Sequence, residues 1–113
     1  MKAFVDSSAW FAAANVKDRH HQRASELLST ELEFVTSTFV VVETWLLLQS
    51  RIRFAVAETF ADQIRQGAAT LEHNTIGDMS RAAELAAAYR DQMLSLVDRT
   101  SFAMMERAFE VLR

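Results

Sequence analysis

The sequence has 113 residues, of which half are apolar and about a quarter are charged, with a formal net charge of −3. A chain of this length can bury roughly two thirds of its unfolded surface, so we expect residues 1–113 to form a single domain. The absence of cysteine excludes a disulfide framework and a thiolate metal site. The net charge gives no general attraction to nucleic acid, so a polyanionic substrate would need local Arg and Lys side chains or bound cations.

No apolar run in the sequence is long enough to span a membrane. Asp6 interrupts the apolar segment at the N-terminus, which is too short for the core of a signal peptide. With the lack of cysteine, these features predict a cytoplasmic protein without membrane contact. Two glycines and no proline are a sparse supply of turn residues, which favours a helix-rich architecture.

Short apolar runs alternate along the chain with longer segments of helical periodicity. The runs predict strands at residues 2–6, 33–36 and 69–71, and a very short strand or extended turn at 94–97. The remaining segments predict helices at 7–14, 18–28, 39–48, 53–66 and 78–90, and a last helix that Asp98 opens. Strands that alternate with helices are typical of a parallel sheet covered by helices, so we expect an α/β fold.

Asp6 ends the first predicted strand and directly precedes Ser7, Ser8 and the first helix. A carboxylate at this position would lie at the carboxyl edge of the sheet, where α/β folds build their sites. Asp is also a common helix N-cap, which is the purely structural interpretation of Asp6.

Glu43 lies between two apolar runs, residues 39–42 and 45–48, in the most apolar part of the sequence. A lone ionised Glu buried there would be costly. Two interpretations remain open: a polar helix face shared with Thr36 and Ser50, or a polar cleft in which Glu43 meets a cation.

Asp98 follows a short apolar run and precedes Thr100 and Ser101 at a predicted helix start. Its structural interpretation is again an N-cap. The same order of apolar run, Asp and hydroxyl residue occurs at Asp6, and two parallel strands that end side by side would bring both carboxylates to one edge of the sheet. If the helix that carries Glu43 packs across that edge, three acids converge.

Three neighbouring carboxylates repel one another unless a cation compensates their charge. Mg²⁺ or Mn²⁺ suits such a site, because both are hard ions that prefer oxygen ligands. Such an ion activates water and polarises a phosphoryl oxygen, so the cluster would point to phosphodiester hydrolysis.

Several segments together resemble a known family. They are FVDSSAW at residues 4–10, the His pair at 20–21, VTS at 35–37 with VET at 42–44, YRD at 89–91, and LSLVDRTSFAM at 94–104. In order and spacing they are similar to the PIN-domain ribonucleases, above all to the VapC-like toxins of bacterial toxin–antitoxin pairs. The resemblance implies a PIN-like three-layer α/β/α domain with a short central parallel sheet.

The same resemblance implies a Mg²⁺- or Mn²⁺-dependent endoribonuclease that hydrolyses RNA phosphodiester bonds. The family's catalytic, metal-binding acids fall on Asp6, Glu43 and Asp98. By the same analogy, Ser7 or Ser8 would support Asp6, and Thr100 would lie near the Asp98 carboxylate. Further implications are a homodimer and inhibition by a VapB-like antitoxin.

Members of this family usually continue past the last helix to a Gly-containing turn and a final strand with a fourth Asp. The sequence through Arg113 has no counterpart of that segment, and Glu106 and Glu110 are the candidate substitutes. Three hypotheses follow: the sequence is truncated, three acids suffice for weaker activity, or the chain is a catalytically impaired PIN-like module that acts in dimerisation or antitoxin binding.

Overall fold

The computed structural model describes residues 1–109. Its strands are β1 (Lys2–Phe4), β2 (Glu33–Ser37) and β3 (Thr70–Glu72). Its α-helices are α1 (Ser7–Ala14), α2 (His21–Leu28), α3 (Thr38–Arg51), α4 (Phe54–Arg65), α5 (Ile76–Ala88) and α6 (Leu96–Ala108), with a 3-10 turn at Arg90–Gln92. The chain divides into two compact units, unit 1 (Met1–Glu72) and unit 2 (His73–Arg113).

The three strands form one parallel sheet in the order β1-β2-β3. Phe4 lies opposite Val35, and Thr36 lies opposite Leu71, so all three strands end at the same edge of the sheet. The backbone N–H of Val5 adds one further bond of 2.8 Å to the carbonyl of Val35. The prediction of a helix-rich α/β fold with a short parallel sheet is therefore confirmed.

The core of unit 1 lies between α1, α3 and α4. Val40, Thr44 and Leu48 are fully buried and recur every four residues, so they form one face of α3. The Trp10 ring of α1 meets the Phe60 ring of α4 edge to face, with 5.6 Å between ring centroids. The β-branched residues at 40–42 are compatible with a helix here, because the segment is 14 residues long and buries a helical stripe.

Unit 2 is built mainly from α5 and α6. Among its described residues, the buried apolar ones are Ala82 and Leu85 of α5 and Ala103 and Met104 of α6. The small alanine side chains on both helices allow close packing. The buried Asp78 also forms an ion pair with Arg107, described below.

The prediction of a strand or extended turn at 94–97 that leads to Asp98 is wrong. Helix α6 begins at Leu96, because the Ser95 hydroxyl accepts the backbone N–H of Asp98 at 3.0 Å and caps the helix. Asp98 is therefore the third residue of the helix and neither its N-cap nor the end of a strand. The proposed repeat of the Asp6 layout fails for this reason.

Two helix starts also differ from the sequence prediction. Helix α2 begins at His21 instead of Asp18, because the Asp18 carboxylate closes a turn by accepting the backbone N–H of His20 at 2.8 Å. Helix α5 begins at Ile76 instead of Asp78, because Thr75 and Asp78 form a reciprocal capping box. No helix within residues 1–109 is long and apolar enough to cross a membrane.

Candidate functional site

The junction of β1 with α1 is fixed by a buried hydroxyl on the neighbouring strand. The Thr36 side chain of β2 donates to the carbonyl of Val5 at 2.9 Å and accepts the indole N–H of Trp10 at 3.2 Å. Thr36 is fully buried. One side chain thus ties the end of β1 to the first turns of α1, which sets the position of Asp6 between them.

Asp6 caps α1 at the carboxyl edge of the sheet, as the sequence predicted. Its Oδ1 accepts the backbone N–H of Ala9 at 3.0 Å and the hydroxyl of Ser8 at 2.8 Å. The residue is exposed. The structural interpretation of Asp6 as an N-cap is correct, and it leaves the second oxygen of the same carboxylate available.

Glu43 reaches the same place from α3. The hydroxyl of Ser7 donates a hydrogen bond to its Oε1. Ser7 is buried, whereas Glu43 is half-buried. Since Ser7 is the residue after Asp6, this bond brings the Glu43 carboxylate to the start of α1. The expected support of Asp6 comes from Ser8, while Ser7 supports Glu43.

We call Asp6, Ser7, Ser8 and Glu43 the acid corner. Each carboxylate has one oxygen bonded to the protein, while Oδ2 of Asp6 and Oε2 of Glu43 have no hydrogen-bond or ion-pair partner within residues 1–109. Two half-satisfied carboxylates at one accessible place fit the oxygen donor set that Mg²⁺ or Mn²⁺ prefers. The acid corner could hold such an ion with the free oxygens.

Asp98 belongs to unit 2 and lies in the first turn of α6, where it is exposed. Its carboxylate makes no hydrogen bond or ion pair with any described residue. Thr100 is buried, and its hydroxyl donates to the carbonyls of Leu96 and Val97 at 2.8 and 3.1 Å. Thr100 thus shapes the turn that carries Asp98 without bonding to the Asp98 carboxylate.

The convergence of Asp6, Glu43 and Asp98 stays a prediction. Among the described residues, neither unit by itself gathers three His, Asp or Glu side chains that could hold a metal ion. Of the candidate substitutes for a fourth acid, Glu106 is paired with Arg81 at 3.2 Å. Glu110 lies outside the described residues.

Unit 2 contains a polar pair that the sequence analysis missed. Asp78 is 2% exposed, and Arg107 donates to both of its carboxylate oxygens at 3.0 Å. Burial raises the pKa of the Asp78 carboxyl, but hydrogen bonds from Arg107 and Thr75 and the charge of Arg107 outweigh it, so this pKa lies below its ordinary value. The Thr-x-x-Asp spacing predicts the capping box of Thr75 and Asp78. Nothing in the sequence indicates that Asp78 pairs with Arg107, 29 residues later.

Comparison with known proteins identifies the class. A family model described as the PIN domain matches residues 3–109, so the chain belongs to the PIN-domain family. The 23S rRNA-specific endonuclease VapC20 of two Mycobacterium tuberculosis strains, CDC 1551 and H37Rv, is 34% identical over 105 residues, which cover 92% of this chain and 80% of the relative.

A solved structure agrees with these sequence matches. The crystal structure of Mycobacterium tuberculosis VapC20, described as a Sarcin-Ricin loop cleaving toxin, superposes with a TM-score of 0.86 at 34% identity. The match covers 96% of this chain and 83% of that one. The resemblance to PIN-domain ribonucleases of the VapC type is therefore confirmed.

Proposed function

We propose that this protein is a metal-dependent endoribonuclease of the VapC toxin type, which hydrolyses phosphodiester bonds in RNA. The observation that carries the proposal is the acid corner at the carboxyl edge of the sheet, where one oxygen of each of two carboxylates has no partner within residues 1–109. Membership of the PIN-domain family and the 34% identity to an endonuclease support the same reaction.

Asp6, Glu43 and Asp98 are the proposed ligands of the cation. Asp6 and Glu43 are supported by their free oxygens, and Asp98 by the family motif around it. Bound Mg²⁺ or Mn²⁺ supplies a water of lowered pKa and offsets negative charge on the phosphate. The protein's part is to hold the carboxylates in position and to leave room for the RNA backbone.

Ser7 and Thr100 are the proposed supporting hydroxyls. Ser7 orients Glu43 by direct donation to Oε1. Thr100 acts through the backbone, because its hydroxyl bonds to carbonyls in the first turn of α6. Hydrogen bonds that orient metal ligands are worth about 10–100-fold in metal affinity or activity.

The proposed substrate is RNA in the cytoplasm, and the proposed inhibitor is a VapB-like antitoxin. The relative's action on 23S rRNA makes ribosomal RNA the first substrate to test.

A homodimer is proposed as well. Val42 and Leu46 lie one turn apart on α3 and are 58% and 54% exposed, as expected of a surface that another protein covers. A monomeric mass in sedimentation velocity at micromolar concentration would contradict the dimer.

The test is cleavage of total RNA and of purified ribosomes by the wild type and by Asp6→Asn, with Mg²⁺ or Mn²⁺. Asn is as good a helix N-cap as Asp, so the variant keeps the bond to Ala9 and loses only the charge. We expect the wild type to produce discrete fragments and Asp6→Asn to lose cleavage by more than about 100-fold, since a ligand matters more than its support. Far-ultraviolet circular dichroism should be unchanged.

The matched control is Asp62→Asn, which removes the same charge from an exposed residue of α4 in the same unit. This variant should cleave RNA at the wild-type rate. Cleavage by Asp6→Asn at the rate of the Asp62→Asn control would contradict the proposed role of Asp6. Cleavage that persists in excess EDTA would contradict metal dependence.

A further inference from the structure

A group of cations lies at the end of α1 opposite to Asp6. Residues 15–23, which run from the end of α1 to the first turn of α2 and are here called the basic loop, contain Lys17, Arg19 and Arg23 against a single carboxylate, Asp18. All three cations are exposed. Unit 1 as a whole has nine Asp and Glu residues and seven Lys and Arg residues, a net charge of −2. The basic loop is therefore a local reversal of charge on an acidic unit.

The backbone of the basic loop leaves these positive charges without a counterion. The side chains of Asn15 and Asp18 accept the backbone N–H groups of Lys17 and His20 at 3.1 and 2.8 Å. Asp18 thus serves the turn, and within residues 1–109 no carboxylate lies within ion-pair distance of Lys17 or Arg19. The Arg19 guanidinium donates to the neighbouring His20 ring at 3.1 Å, which leaves its charge uncompensated. The exposed cations of this turn are therefore available to an anion.

Arg51 lies along α1 between the acid corner and the basic loop. Its guanidinium carbon is 5.9 Å from the centroid of the Phe11 ring. Phe11 lies little more than one helical turn after Asp6. Arg51 is exposed and also has no carboxylate within ion-pair distance among the described residues. Helix α1 has eight residues and is therefore about 12 Å long. Carboxylates, a guanidinium and the basic loop follow one another along this helix.

We propose that the basic loop and Arg51 bind backbone phosphates of the RNA substrate. The length of α1 puts these contacts a few nucleotides from the cleaved bond. The proposal rests on the proposed ribonuclease function and adds to it the surface that holds the flanking strand. Phosphate contacts fix the position of the strand without reading its sequence.

RNA fits this surface better than an acidic polypeptide does. Arg51 lies beside Phe11 in the middle of α1, and the basic loop follows the end of this helix, so the cations lie at increasing distance along α1 from the acid corner. A strand bound for cleavage extends away from the cleaved bond in this way, and the exposed guanidinium of Arg51 could also contact a base. An acidic polypeptide would need the charges but not their order along α1.

The test is the salt dependence of RNA binding by Lys17→Gln/Arg19→Gln, measured by fluorescence anisotropy with two short labelled single-stranded RNAs of unrelated sequence. All proteins carry Asp6→Asn, and EDTA is present, so that no RNA is cleaved. Loss of two phosphate contacts should make the slope of log K against log [KCl] shallower by about 1.4. Affinity at 0.1 M KCl should fall about 25-fold, and equally for both sequences.

The control is Arg65→Gln/Arg90→Gln, which removes two exposed positive charges elsewhere and should keep the parent slope. An equal change of slope in the two double variants would overturn the proposal, as would no change in either. A loop variant that loses binding to polyglutamate but keeps its RNA slope would identify an acidic polypeptide as the partner instead. Binding is measured here and cleavage in the separate test of the wild type. If the slopes change as predicted but the wild type cleaves no RNA, the proposed function is refuted and the phosphate-binding surface stands.

Discussion

The acid corner of unit 1 and the first turn of α6 in unit 2, which carries Asp98, hold their carboxylates by different means. In unit 1 the hydroxyls of Ser7 and Ser8 bond directly to Glu43 and Asp6. In unit 2 the pair of Asp78 and Arg107 joins α5 to α6, and Asp98 is placed by the first turn of α6, which Ser95 caps, while no described side chain bonds to the Asp98 carboxylate. The position of these carboxylates thus depends on individual side chains in unit 1 and on the helical frame in unit 2.

This difference suggests how each unit responds to substitution. Loss of one hydroxyl in the acid corner frees a carboxylate and disturbs the proposed metal site with little effect on the fold. Loss of one polar contact between the helices of unit 2 lowers the free energy of unfolding. In the molecules that remain folded, the position of Asp98 is nearly unchanged. The two predictions that follow test these opposite responses, in order of expected effect.

Ser7→Ala should lower RNA cleavage and Mn²⁺ affinity by about 10–100-fold, because Glu43 loses the bond that orients it. The free energy of unfolding should fall by about 1 kcal/mol, the usual contribution of one hydrogen bond. Cleavage rates, Mn²⁺ titration and urea unfolding measure the three quantities. Ser50→Ala is the control, since its hydroxyl on the same helix bonds only to the Leu47 carbonyl, at 3.3 Å. Equal Mn²⁺ affinity in the two variants would contradict the inference that single side-chain bonds set the carboxylate positions in unit 1.

Asp78→Asn should lower the free energy of unfolding by about 2 kcal/mol at pH 7, because it removes the charge from a buried, doubly bonded ion pair. The cost is less than for a fully buried pair, since the Arg107 side chain is 40% exposed. Cleavage per folded molecule should not change. Glu84→Gln, which breaks an exposed pair with Arg81, should cost no more than about 0.5 kcal/mol.

The effect of Asp78→Asn should also depend on pH. The pKa of Asp78 is lowered in the folded state, so its contribution to stability is present above the unfolded value of about 3.9 and is lost as pH falls through the folded value. Urea unfolding of the wild type and the variant should therefore differ at pH 7 and converge well below about pH 4. A difference that stays constant to low pH would show that the ion pair does not stabilise unit 2.

Much of the fold could be predicted because periodicity is a property of the sequence. The parallel sheet and the long helix α3 follow from short apolar runs and a 14-residue apolar segment. Several helix starts could not be predicted, because Asp, Ser and Thr all cap helices and compete over a few residues. Ser95 takes that role before Asp98, and Thr75 takes it before Asp78.

The candidate site could also be predicted only in part from the sequence. Asp6 and Glu43 stand out in the sequence because a carboxylate is unusual in apolar surroundings. Which of Ser7 and Ser8 supports which acid depends on the residue at which α1 begins and on the packing of α1 against α3. Neither is a local property of the sequence, so the bond from Ser7 to Glu43 required the structure.

The most direct test of a shared metal site is Mn²⁺ titration by calorimetry of the wild type, Asp6→Asn and Asp98→Asn. We expect one saturable site in the wild type at submillimolar Mn²⁺, and at least about a tenfold loss of affinity in both variants. Loss in Asp6→Asn alone would confine the site to the acid corner and remove Asp98 from it. No saturable binding by the wild type at millimolar Mn²⁺ would contradict the metal site and favour a non-catalytic PIN-like module.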